Sequence, residues 1–140
     1  MLKVIFYILS FTWGLIMTLI GGLVALVLLC LGHRPTKYGP CLCFEVGEYW
    51  GAISLGLVII CGMDGDVYTK NHELGHSVQN AVFGPLFVIF IAIPSFIRCQ
   101  YYNWVGAHNS KKFADLPDYY SIWFEGGASK WGEKFILNWN

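Results

Sequence analysis

Asn71-His72-Glu73-Leu74-Gly75-His76-Ser77-Val78-Gln79 is the stretch on which the reading of this chain turns. It contains H-E-x-x-H. On a helix, residues four apart share a face, so His72 and His76 can offer ring nitrogens to one metal ion. Glu73 stands one residue on, beside the open side of such an ion, placed to take a proton from water. The surroundings suit a helix over about 67–83: Asp64 or Asp66 can cap its start, and no proline intervenes before Pro85. The chain has nine acidic residues and four histidines in 140 positions. Three of them within five positions is more than that composition makes ordinary.

Two histidines do not complete a catalytic zinc site, which takes three protein ligands and keeps a fourth place open. His76 is followed by Ser77, Val78, Gln79, Asn80, Ala81 and Val82, so no His-x-x-Gly-x-x-His extension supplies the third. Downstream donors are His108, Asp115, Asp118, Glu125 and Glu133. Glu125 lies in Trp123-Phe124-Glu125-Gly126-Gly127-Ala128-Ser129, where apolar neighbours would bury a carboxylate and small residues permit close approach. It is the expected third ligand. Glu133, next to Lys134 and near Lys130, reads as a solvated helix face. His108 sits among Asn109, Ser110 and two lysines and reads as a loop histidine. Tyr119, Tyr120 and His108 are the available second donors to a reacting carbonyl oxygen. Gln79, two helical turns beyond His72, can orient substrate or a ligand.

Working outward, the chain around this motif is strongly apolar. It is 56% hydrophobic and 13% charged, with zero formal charge, against about 25% charged residues in an ordinary soluble domain. A nucleic-acid binder needs a basic excess, and a disordered chain needs many charges and few apolar residues; neither fits. No charged residue occurs from Val4 to Leu31, a run longer than the roughly 20 residues that span a bilayer and too long for a secretory signal. Gly21-Gly22 in this run permits a bend or a close neighbour. Further apolar segments cover about 49–63 and 81–97. Pro85 and Pro94 should each start or kink a helix. The intervening His33–Glu48 reads as a polar loop. The aromatic-rich tail, with Tyr101, Tyr102, Trp104, Trp123, Trp131 and Trp139, reads as an interfacial cap.

The expected fold is therefore an all-α integral membrane protein forming one domain over 1–140. It has three to four transmembrane or re-entrant helices, the H-E-x-x-H helix and a C-terminal interfacial segment. With three spans, the distribution of Lys and Arg favours a cytoplasmic tail. Five cysteines leave at least one unpaired. Cys41-Leu42-Cys43 lacks the spacing of a zinc knuckle, and Cys30, Cys61 and Cys99 read as small buried side chains.

The H-E-x-x-H pair followed downstream by Glu125-x-x-Ala128 resembles the gluzincin metallopeptidases. The order His72-Glu73-Leu74-Gly75-His76-Ser77-Val78-Gln79, Gly84-Pro85-Leu86, Ile93-Pro94-Ser95, then Tyr119-Tyr120-Ser121 before Glu125, is similar to a group of small bacterial integral membrane proteins. The resemblance runs from about Gly62 to Gly132. It implies Zn2+ held by His72, His76 and Glu125, with Glu73 catalytic. One departure is plain. Many gluzincins place an aspartate four residues after the ligand glutamate to hold a zinc histidine, and here that position is Ser129, so Asp64, Asp66, Asp115 or Asp118 is expected to substitute.

The function expected is a zinc-dependent membrane metalloprotease of the bacterial cell membrane, hydrolysing peptide bonds through a zinc-activated water with Glu73 as general base. Its partners are the lipid bilayer and a peptide or membrane-protein substrate, with no nucleic acid. A homo-oligomer would help so few spans shelter a hydrated site. The alternative is a non-catalytic zinc-binding membrane protein acting as a regulatory or interaction partner. A transporter with a histidine-lined path suffers from the shortage of spans.

Overall fold

The computed structural model describes residues 2–48, 51–63 and 65–139. Its elements are α1 (Leu2–Phe11), α2 (Leu15–Cys30), β1 (Thr36–Tyr38), β2 (Cys41–Glu45), β3 (Ala52–Leu55), β4 (Val58–Cys61) and α3 (Val67–Phe83). They are followed by the short α4 (Pro85–Phe87), a π turn (Val88–Ala92), α5 (Ile93–His108), α6 (Ser110–Ala114), a 3-10 turn (Tyr119–Ser121) and α7 (Trp123–Trp139). The chain is mostly helical, but it is not all-α.

A four-stranded sheet of order β1-β2-β4-β3 corrects that expectation. β1 and β3 run antiparallel to their neighbours β2 and β4, while β2 and β4 are parallel, with Cys43 opposite Ile59. The segment 49–63, expected as a short membrane helix, folds as the β3–β4 hairpin; Tyr49 and Trp50 lie outside the described residues. The polar loop expected over His33–Glu48 contains β1 and β2. Gly56, at a φ of 64°, opens the two-residue turn that joins β3 to β4, where a tight hairpin requires a positive φ. The apolar run Val58-Ile59-Ile60-Cys61 is continuous because this inner strand is covered on both faces. Val58 and Ile60 pack with Phe44 and Ala25 of α2, whereas Ile59 and Cys61 pack with Cys41, Cys43, Leu74 and Phe135. Alternation along a strand sends successive residues to those two layers.

The charge-free N-terminal run is likewise not one straight helix. Its axis turns by 86° between Lys3–Phe11 and Leu15–Cys30. The turn falls at Thr12–Gly14 rather than at Gly21-Gly22, and it is tied to the end of α3. Asn80 Nδ2 donates to the Gly14 carbonyl at 3.1 Å, and Trp13 Nε1 donates to that of Val82 at 3.2 Å. Gly21 instead provides a close neighbour, since a side chain there would collide with the Leu55 carbonyl of the hairpin.

Among the described residues, one helix is long and apolar enough to cross a membrane: the 24-residue Pro85–His108, to which the bent α1–α2 pair adds a second if taken as one span. Among the described residues the count is thus one or two, against the three to four expected. Pro85 begins this helix after Gly84, and Pro94, which lacks an N–H, follows the π turn without breaking it. Its outer surface is apolar and exposed, with Ile89, Phe90, Ile93, Phe96 and Ile97 all facing outward, as do Leu19, Leu23 and Leu26 of α2.

α7 packs into the core on one side, while Trp123 and Trp131 of the expected interfacial cap are exposed on it. Phe135 and Trp139 are buried against Phe6 of α1 and the inner face of the sheet. All five cysteines are free; Cys41, Cys43 and Cys61 are buried, Cys99 is half-buried, and Cys30, expected to be buried, is exposed.

Candidate metal centre

The site begins with the start of α3. Asp66 caps it, its side chain accepting a hydrogen bond from the Thr69 amide at 2.8 Å. Asp64 lies outside the described residues. From this start the helix buries His72, Glu73, His76, Gln79 and Asn80 on its inward side. Burying so many polar groups is costly unless each finds a partner. Asn80 holds the α1–α2 bend, and the other four converge on one place.

Their partner is the first turn of α7. The two helices approach until their backbones touch: a Cβ at Gly75 would collide with the Ala128 carbonyl, and one at Gly132 with that of Asn71. This seam of small residues places the fully buried Glu125 against both histidines. Its Oε2 lies 3.1 Å from His72 Nε2 and 3.4 Å from His76 Nε2. Metal–ligand distances of about 2.0–2.2 Å give tetrahedral edges of roughly 3.4 Å, so these separations suit one small ion.

The opposite side of each ring is already engaged. Ser129 Oγ is 2.9 Å from His72 Nδ1, and Gln79 Oε1 is 2.8 Å from His76 Nδ1. The Gln79 amide nitrogen donates to the Phe124 carbonyl at 2.9 Å, so its oxygen is the atom that faces His76. An oxygen acceptor at Nδ1 calls for N–H there and leaves Nε2 as a lone pair. Two imidazole lone pairs thus meet Glu125 Oε2, a buried carboxylate oxygen with no hydrogen-bond donor of its own. Buried acceptors facing one another are unfavourable unless a proton or a cation stands between them. The buried group His72, His76 and Glu125 can hold a metal ion.

Protons compete for the same atoms. Burial works against a charged His76, yet the bond to Glu125, the negative charges of Glu73 and Glu125 and the bond to Gln79 together outweigh it and raise the imidazole above its usual value. Burial alone would raise Glu125 too, but its hydrogen bonds with His72 and His76 hold it well below the ordinary carboxylate range. Glu73 is raised by burial, with the two histidines opposing.

Ser129 therefore occupies the place where an aspartate was expected, and it is Ser129 that holds His72. None of the aspartates named as substitutes does so among the described residues. Asp66 and Asp118 cap their own turns, and Asp115 is an exposed residue at the end of α6. Gln79 makes satisfied polar contacts with His76 and the Phe124 carbonyl. Tyr119 donates to Glu125 Oε1 at 3.4 Å, and the Tyr120 ring meets His72 edge-on at 5.2 Å between centroids. Both line the cavity, and burial raises both phenols, Tyr120 to about 12. His108 is elsewhere: exposed, stacked on Trp104, with Nδ1 on the Trp104 carbonyl. Glu133 is exposed on α7. Ser95, which the sequence reading gave no role beyond its place in Ile93-Pro94-Ser95, lines the cavity and its hydroxyl helps hold Glu125 ionised. The chain matches no protein-family model, no curated protein and no solved structure.

Proposed function

We propose that this protein is a zinc-dependent membrane metallopeptidase of the gluzincin type. The observation that carries the reading is the convergence of His72 Nε2, His76 Nε2 and Glu125 Oε2 at 3.1 and 3.4 Å, with Glu73 in the same cavity. Two imidazoles and one carboxylate are a donor set that suits zinc. Zinc held there supplies Lewis acidity, which brings the pKa of a water molecule toward about 7 and polarises a carbonyl.

The residues of the chain do the rest. Glu73 accepts the proton of the attacking water and delivers it to the departing amine. Its burial shifts the carboxyl upward from its ordinary value, toward the range in which one group can do both. The water oxygen bonds to the carbonyl carbon, the C–N bond breaks, and a carboxylate and an amine leave. Tyr119 and Tyr120 remain protonated at neutral pH; Tyr119 donates to Glu125 Oε1, which leaves Tyr120 as the hydrogen-bond donor to the carbonyl oxygen. Ser129 and Gln79 keep the two imidazoles oriented.

The exposed apolar faces of α2 and of Pro85–His108 support a membrane setting, the faces being turned to lipid. The alternative, a non-catalytic zinc-binding partner, calls for a closed site with four protein ligands. Only three donors gather here among the described residues, and a cavity of about 550 Å3 reaches them.

The test is the metal content of the detergent-purified protein, followed by turnover of peptides. One zinc per chain is expected. Glu73→Gln should keep the metal and lose about 100-fold or more in turnover, while His76→Ala should lose both. Protein that stays metal-free after zinc is resupplied, or a Glu73→Gln variant as active as its parent, refutes the proposal.

A further inference from the structure

The cavity of about 550 Å3 at the metal cluster has two facing walls. One is β3, the outer strand of the sheet, through Ile53 and Leu55; the other is the helix from α4 into α5, through Phe87, Ala92 and Phe96. Among the described residues lining it, every group that can be charged at neutral pH belongs to the cluster itself: His72, Glu73, His76 and Glu125. Among these described residues no lysine or arginine faces the space to receive a terminal carboxylate, and no further acidic group faces it to receive a terminal ammonium.

A charge carried into such a space loses its hydration and gains no opposite charge, whether it is a chain end or a side chain. An apolar side chain gains from the same transfer. The mouth adds a second observation. Phe96 lines the cavity yet is 59% exposed, on the apolar outer face of α5. That part of the rim adjoins the surface that suits lipid, and an apolar segment can reach the cluster from that side.

Resting on the peptidase reading above, we propose that the substrate is an uncharged, apolar stretch of polypeptide cut at an internal peptide bond, with Ala92 limiting the size of side chain admitted. The reaction consumes one water: its oxygen joins the carbonyl carbon, the C–N bond breaks, and its protons end on the amine and in solvent. Ala92 closes the π turn and presents only a methyl group to the wall. Any larger residue there fills volume that a bulky substrate side chain needs.

The experiment uses the full chain, loaded with zinc and reconstituted in phosphatidylcholine vesicles. It is offered twelve-residue peptides with acetylated and amidated ends and an apolar centre. A second set carries Lys or Asp at the centre, a third has free ends, and products are identified by mass spectrometry. Blocked apolar peptides should be cut internally, and a central charge should slow cleavage about tenfold or more. Ala92→Leu should raise the preference for central Ala over central Phe by about tenfold. The charge comparison uses the unaltered protein and stands whether or not that variant folds. Equal cleavage of the charged set, or release of single residues from free ends with blocked peptides untouched, overturns this specificity and leaves the peptidase reading intact. A metal-loaded protein that cuts no peptide of any set overturns both.

Discussion

Adding one methyl group at Gly75 should separate metal binding from stability. Gly75 faces the Ala128 carbonyl across the α3–α7 seam, and Gly132 faces the Asn71 carbonyl in the same way. Ala128 lies between Glu125, the proposed third ligand, and Ser129, which holds His72. A side-chain carbon keeps more than about 3 Å from a carbonyl oxygen, so with Gly75→Ala the first turns of α7 must retreat by about 1 Å or more. Two terms then oppose each other in stability. Alanine is favoured over glycine inside a helix by about 1 kcal/mol, and overpacking a tight contact costs about 1–3 kcal/mol. The net loss is roughly 0–2 kcal/mol, a fall of at most about 8 °C in Tm for a chain of this size.

The metal site has no such compensation. Its edges of 3.1 and 3.4 Å would lengthen by a large fraction of that retreat, whereas metal–ligand distances tolerate only about 0.2 Å. Misplacing ligand supports alone costs about 10–100-fold in affinity, so Gly75→Ala should lose about 100-fold. Zinc affinity is read by competition with a chromophoric chelator, and stability by thermal unfolding of the metal-free protein. Gly22→Ala is the control, because nothing lies within 4 Å of a Cβ built there. A Gly75→Ala protein that unfolds near the parent's temperature and binds zinc as tightly would refute the claim that helix contact sets the ligand geometry.

Other outcomes follow from the same contacts. Ser129→Ala and Gln79→Leu, each removing the acceptor at one histidine's Nδ1, should each weaken zinc about 10–100-fold; Ser129→Asp should recover or exceed the parent's affinity in the same titration. The metal-free protein should have an acid-shifted stability profile. The depressed carboxyl of Glu125 contributes stability above its ordinary value of 4.5, and that contribution is lost as pH falls through the lowered one. The raised Glu73 and His76 contribute below their ordinary values of 4.5 and 6.5, and lose that contribution as pH rises through the raised ones. Stability without metal should therefore peak near about pH 4–5 and decline toward neutrality. Zinc should restore it increasingly as pH rises and His76 gives up the proton that competes with the metal. A set of melting curves across pH, with and without zinc, checks both limbs; a zinc-induced shift as large at pH 5 as at pH 7.5 would contradict this.

How far the sequence could be read depended on whether each signal was local. The α3 helix was legible because its cap at Asp66, its H-E-x-x-H spacing and the absence of an early proline all lie within the helix. Glu125 was legible from residue type and small neighbours, since close packing of two helices needs small residues at the contact. The sheet was missed for a physical reason. A strand covered on both faces reads as an unbroken apolar run, which is also how a piece of membrane helix reads. Gly51, Gly56 and Gly62 bracket runs of only four or five residues between them, too short for a helix, and that punctuation was the available signal. The bend between α1 and α2 was invisible for a different cause: Asn80 and Val82 hold it from across the fold, 66 and 69 positions away from the groups they bind. Ser129 shows the limit most clearly. The family pattern puts an aspartate at this position and, in its absence, points to four other aspartates as substitutes. A hydroxyl 2.9 Å from His72 Nδ1 nonetheless accepts the same N–H that a carboxylate would, without the negative charge. Position on the helix, four residues after Glu125, decided the contact, and residue type decided only its charge. The two proposed zinc histidines are thus both held by neutral oxygens, so a divalent ion bound there would keep more of its positive charge than one whose histidines lean on carboxylates.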